Sequence, residues 1–245
     1  RDRQLYQAPK PDAKPPMWIR SLLILTCSGV SFAHGSNDGQ KGMGLIMLIL
    51  VGTMPIAYSL NRSMPDGEVP RVAALAEVTG HQLLQLQPQP LANIPLARTR
   101  LQDLIRQPTA DAGTLPALGV VLNDISQQLQ HYGAMDKIPA HLVPNIRNDM
   151  YLASEAIGSL KNSTLIIPAA TQPNLKAMKS ELDRATRFIP MWVKIVVALA
   201  LGLGTMVGWK RIVVTVGERI GKTHLTYAQG ASAELVAMAT IGAAD

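Results

Sequence analysis

Residues 32–44 read FAHGSNDGQKGMG, between two apolar runs, MWIRSLLILTCSGVS (17–31) and LIMLILVGTMPIAYSL (45–60). The stretch carries four glycines together with His34, Asn37, Asp38 and Lys41. A bilayer core takes about 20 apolar residues as helix, and residues 17–60 supply roughly twice that around a polar middle. Irregular backbone and polar groups survive at membrane depth only inside protein or around water. Ionisable residues there are functional candidates by default. Glycine lets a backbone unwind and approach a ligand. The expectation is a discontinuous helix, broken at the motif. Its second half would start near Gly42–Leu45 and offer free N–H groups to an anion, while Asp38 attracts a cation. Secondary transporters place such broken helices around their substrates. The competing reading is a polar turn at the bilayer surface joining two short crossings.

The rest of the composition fits a mixture of membrane spans and a water-facing stretch. Of 245 residues, 47% are hydrophobic and 16% charged, against about 25% charged for an average soluble domain. Mean hydropathy, +0.14, is too low for a chain that is membrane throughout. The net charge of +6 is spread thinly, and no basic run interleaved with aromatics points to nucleic acid. The single cysteine, Cys27, excludes a disulfide framework within the chain. Residues 1–16, RDRQLYQAPKPDAKPP, read as a linker and not as a signal peptide. The apolar run before Asp245 has not finished, so the expectation is a fragment of a longer membrane protein.

Residues 61–187 read as a water-facing insertion. Acidic and basic residues nearly balance there, and Pro65, Pro70, Pro88, Pro90, Pro95, Pro108, Pro116, Pro139 and Pro144 punctuate it. Helices are expected around Arg71–Leu86, Leu115–His131, Ile146–Lys161 and Leu175–Phe188. No catalytic constellation is visible. His81, His131 and His141 are too scattered for a metal site, so neither enzyme, metal nor cofactor is expected. Residues 188–245 return to the membrane. IPMWVKIVVALALGLGTMVGW (189–209) has Trp192 and Trp209 near its ends as anchors, and Lys194 able to snorkel. Gly202, Gly204 and Gly208 suit close helix packing. Lys210, Arg211, Arg219 and Lys222 put the following end in the cytoplasm. Arg1, Arg3, Lys10, Lys14 and Arg20 do the same for the start of the first block. An odd number of crossings then places 61–187 outside. GERIGKT (217–223) is one residue short of the Walker spacing, and a phosphate-binding loop is rejected.

SFAHGSND with Gly44 resembles the signature of the inorganic phosphate transporter family, Pit, which runs Gly-x-Asn-Asp-Val-Ala-Asn-x-x-Gly. Gly35, Asn37, Asp38 and Gly44 match it. GWKRIVVTVGERIGKTHLTYAQGASAELVAM (208–238) is similar to the next conserved part of the second of that family's two repeats. The bacterial low-affinity branch, with its long soluble insertion, is the nearest in kind. The resemblance implies an all-α polytopic inner-membrane protein with two inverted repeats, discontinuous helices and a helical soluble insertion, 61–187. Membrane segments 17–60 and 188–245 flank it. It further implies a missing N-terminal repeat as a partner and leaves a homodimer open. By the same resemblance, Asn37 and Asp38 would bind phosphate and the coupling cation, with Ser36 as a further donor. Glu234 would be a buried essential carboxylate. His34 suits a proton relay, because an unperturbed imidazole changes charge near physiological pH, or a helix-end hydrogen bond.

The sequence departs from the pattern where the family has Val-Ala-Asn and this chain has Gly39-Gln40-Lys41. An asparagine carbonyl can ligate sodium; an ammonium cannot. Lys41 either replaces the cation electrostatically or reaches phosphate. The expectation is symport of phosphate with protons, or carriage as a neutral divalent metal–phosphate complex. Sodium coupling is the alternative. Two rivals stay open: a transporter or channel of another family built on a similar broken helix, and a membrane-anchored binding protein working through 61–187.

Overall fold

A computed structural model of the chain describes residues 3–7, 14–86, 93–107, 109–163, 165, 167–207, 209–210, 215 and 225–244. Most of the expected linker, the basic residues Lys10, Arg211, Arg219 and Lys222, and the GERIGKT stretch lie outside the described residues. The described secondary structure is helical: α1 (Arg3–Tyr6), α2 (Met17–Thr53), α3 (Pro55–Tyr58), α4 (Val69–Leu86), α5 (Ile94–Arg106), α6 (Thr114–Tyr132), α7 (Val143–Leu160), α8 (Gln172–Thr186), α9 (Met191–Met206) and α10 (Tyr227–Ala244). The chain divides into two compact units, one of residues 1–46 with 189–245 and one of residues 47–188.

In the first unit the expected break is absent. Met17–Thr53 is one continuous α-helix of 37 residues, about 55 Å long at 1.5 Å per residue. The reason is energetic. A glycine in a helix interior costs about 1 kcal/mol against alanine, whereas a proline costs about 3 and removes a donor. The first proline after Met17 is Pro55, and the helix ends there. Met54 turns out of helical geometry (φ −132°, ψ 58°), as a residue before proline does. No helix start, and so no set of free N–H groups, exists near Gly42–Leu45. Among the described residues, no single helix is long and apolar enough to cross a membrane. The expected span 189–209 forms α9, of 16 residues.

The second unit is a helical bundle. α4 packs on α6, α6 on α5 and α7, α7 on α8 and α5, and α8 on α4. Its core is continuous and includes Val72, Leu83, Leu101, Leu118, Leu122, Ile125, Ile146, Met150, Met178 and Leu182. On α4 the buried positions Val69, Val72, Ala73, Ala76, Thr79, Gly80 and Leu83 recur at three and four, the spacing of one helix face. The prolines mark helix starts, where no N–H is needed: Pro55, Pro95, Pro144 and Pro173 each stand in a first turn. Asn93 caps α5 by accepting from the Leu96 N–H at 3.0 Å. Gly133, at φ 70°, closes α6 in the left-handed conformation that glycine adopts without strain. The four expected helices are present as α4, α6, α7 and α8. α5 was not expected, because its apolar stripe is only Ala97, Leu101 and Leu104 amid charge.

α4 and α6 cross with their backbones in contact. A Cβ on Gly80 would lie 2.9 Å from the Gly119 carbonyl oxygen, and one on Gly119 would lie 2.8 Å from the Gly80 carbonyl oxygen. Across the core, Ser126 donates to the Ala73 carbonyl at 2.7 Å. Arg98 on α5 grips Asp149 on α7 through two hydrogen bonds of 2.6 Å.

Candidate functional site

The polar residues of α2 are placed by an unbroken helix, so their directions follow from 100° per residue. His34, Asp38 and Lys41 are four and three apart and share one face. His34 Nε2 lies 3.3 Å from Asp38 Oδ2, with the side chains 68% and 44% exposed. Lys41 is exposed. Asn37 and Ser36 are half-buried. Ser36 is turned about 160° from Asp38 on a regular helix, so the structure does not bring it to the His34–Asp38 pair.

Two of the four glycines of the stretch, Gly39 and Gly42, do a different job from the one expected, while a Cβ on Gly35 or Gly44 would meet nothing within 4 Å. A Cβ on Gly39 would stand 3.8 Å from Leu201 Cδ1, and one on Gly42 would stand 3.4 Å from Val197 Cγ1. α9 therefore runs close along the Gly39–Gly42 face of α2, as small residues permit. They are packing positions and not points of unwinding. Earlier along α2 the neighbour is α10. Thr26, 4% exposed, donates to Glu234 Oε2, and a Cβ on Gly29 would meet Met238 Sδ. Ala231, Glu234 and Met238 form the matching stripe, three and four apart on α10. Thr26 is twelve residues before Asp38, about 18 Å along the helix axis. Glu234 is thus held by α2, yet well away from the His34–Asp38 pair. The sequence reading did not single out Thr26; its only signal was a hydroxyl seven residues after the buried Ile19, on the same stripe.

The second unit carries its own polar features. An open groove of about 520 Å³ between α5 and α7 is lined by Arg98, Gln102, Arg106, Asn145, Tyr151 and Glu155 among others. The Asp149 carboxylate is 3% exposed, and its partner Arg98 is 39% exposed. The hydrogen bond to Asp149 raises Arg98 above its ordinary pKa. Burial raises the neighbouring Asp124, helped by the Asp149 charge and opposed by a hydrogen bond from Gln128 and by Arg98. No group of three or more His, Cys, Asp or Glu is arranged for a metal ion among the described residues.

A model of the phosphate transporter family matches residues 2–245. The chain belongs to that family. The family is one of phosphate transporters. It is 35% identical over 247 residues to the low-affinity inorganic phosphate transporter PitA of Escherichia coli (strain K12), covering 95% of this chain and 47% of PitA. It is 34% identical over 241 residues to PitB of the same organism, with coverage of 95% and 47%. To the low-affinity inorganic phosphate transporter of Buchnera aphidicola subsp. Acyrthosiphon pisum it is 34% identical over 249 residues, with coverage of 94% and 46%. The chain spans about half the length of these curated relatives. No solved structure matches it.

Proposed function

We propose that this chain is part of a secondary transporter that carries inorganic phosphate across a bacterial inner membrane. The match to the phosphate transporter family over residues 2–245 carries the reading. The electrostatics of α2 support it. An ionisable side chain at the bilayer centre costs about 2.5–3.5 kcal/mol or more, so such residues face protein or water. His34, Asp38 and Lys41 put three on one face of α2, between two apolar runs. Lys41 supplies positive charge for phosphate. Asp38 with His34 takes the coupling cation or proton, and Asn37 is a further polar contact. Glu234 is the second intramembrane carboxylate, seated by α2. Residues 61–187 form the extracytoplasmic insertion between the membrane segments 17–60 and 188–245, and the N-terminal inverted repeat of the whole transporter completes the site.

The coupling ion follows from Gly39-Gln40-Lys41. An ammonium three residues on from Asp38, on the same helix face, disfavours sodium, and we assign coupling to protons or to a neutral metal–phosphate complex. The test is radiolabelled phosphate uptake by the full-length protein in proteoliposomes under a proton gradient, with and without sodium. Asp38→Asn is expected to lower uptake by at least about tenfold, the effect of losing a charge-assisted contact. Wild-type uptake is expected to ignore sodium. Undiminished uptake by Asp38→Asn refutes the site; uptake that requires sodium refutes the coupling.

A further inference from the structure

In the first unit a polar contact joins two helices far apart in sequence: Thr26 on α2 donates to Glu234 on α10. A threonine hydroxyl has one proton to donate and two lone pairs to accept with. Three acceptors lie within reach of Thr26 Oγ1: Glu234 Oε2, the Leu22 carbonyl at 3.1 Å and the Leu23 carbonyl at 3.2 Å. One proton cannot serve all three. When Glu234 is ionised, the hydroxyl donates to the carboxylate. When Glu234 is protonated, the carboxyl donates to Thr26 Oγ1, and the hydroxyl proton turns to Leu22 or Leu23. Neither arrangement leaves the buried Thr26 hydroxyl without a partner, which would otherwise carry a desolvation penalty.

We propose that Thr26 is the positioning residue of Glu234, its hydroxyl holding the carboxyl group in place at the α2–α10 interface in either hydrogen-bonding arrangement. Gly29 opposite Met238 and the buried Ala231 keep α2 and α10 close enough for the contact. Among the described side chains, other titratable groups on the elements packed there are Arg20, Cys27, His34, Asp38 and Lys41 on α2, Tyr227 on α10, and Tyr6 on α1. None is a carboxylate or ammonium within one turn of Thr26 or Glu234 on its own helix. The hydroxyl is the partner the geometry supplies. This inference rests on the reading of Glu234 as an intramembrane carboxylate that takes part in transport.

The test compares Thr26→Val, which keeps the shape and deletes the hydroxyl, with Thr26→Ser, which keeps the hydroxyl, and with Glu234→Gln. The readouts are Vmax and KM for radiolabelled inorganic phosphate in proteoliposomes holding the full-length protein. A monodisperse detergent-solubilised sample qualifies each variant as folded. Thr26→Val is expected to lower Vmax by about tenfold or more, since the lost bond is to a charged group. KM should stay within about twofold, because Thr26 lies well away from the His34–Asp38 pair. Thr26→Ser is expected to restore most of Vmax. Full Vmax in Thr26→Val, or Thr26→Ser as slow as Thr26→Val, overturns the proposal and leaves Thr26 as packing. Full uptake in Glu234→Gln instead overturns the reading of Glu234 itself.

Discussion

Replacing Gly80 or Gly119 by alanine is predicted to destabilise the helical bundle of the second unit, although alanine is the better helix former. In an open helix interior the change gains about 1 kcal/mol. At the α4–α6 crossing, a Cβ on Gly119 would stand 2.8 Å from the Gly80 carbonyl oxygen, and ordinary contact begins at 3.4 Å. The helices must part by the difference, 0.6 Å, because backbone cannot swing aside as a side chain does. A radial gap of about 0.5–1 Å forfeits a quarter to a half of each dispersion contact across it. The contacts at stake include Val72, Ala76 and Leu83 on α4 and Leu118, Leu122 and Ile125 on α6. Overpacking of this kind costs about 1–3 kcal/mol. Rigid backbone puts the case near the top of that range. Less the gain in propensity, the net loss is about 2 kcal/mol, or about 1 M in urea midpoint at a slope near 2 kcal/mol/M. The assay is urea denaturation followed by circular dichroism on a polypeptide of residues 55–188, which holds its own core. Gly158→Ala is the control. Its Cβ would lie 3.6 Å from Lys179 Cε, an ordinary contact, so it should stabilise by about 0.5–1 kcal/mol. Gly80→Ala and Gly119→Ala as stable as wild type, with Gly158→Ala raised, would refute the backbone contact.

Two further predictions use the same denaturation. Arg98→Met strands the Asp149 carboxylate, 3% exposed, and is predicted to cost about 3–5 kcal/mol. Asp149→Asn leaves a guanidinium that water can reach, and should cost clearly less; equal losses would contradict the asymmetry of burial. Burial holds the folded pKa of Asp124 above its unfolded value, which is about 3.9. Its contribution to stability is therefore full below about pH 4 and is lost as pH rises through the folded pKa. Asp124→Asn is predicted to be more stable than wild type at pH 7, with the advantage vanishing below about pH 4. Parallel stability–pH curves for the two proteins would contradict it.

The sequence by itself determined what depends on neighbours along the chain. The three-and-four spacing of apolar residues marks α4, α6, α7 and α8, and proline marks where helices start. The contiguous motif Gly35–Gly44 carries the family. The His34–Asp38–Lys41 face is equally local, since it needs only 100° per residue. The glycines of residues 32–44 were ambiguous for a physical reason: the absence of a Cβ serves unwinding and close approach equally well. Only the tertiary structure chose between them, because the choice depends on what stands opposite. Val197 and Leu201 on α9 stand opposite Gly42 and Gly39, and the helix runs unbroken past them. The Thr26–Glu234 contact joins residues 208 apart, and the Gly80–Gly119 crossing joins two helices with α5 between them in sequence. Contacts of that kind arise from packing, and no local pattern encodes which glycine or hydroxyl will meet which partner.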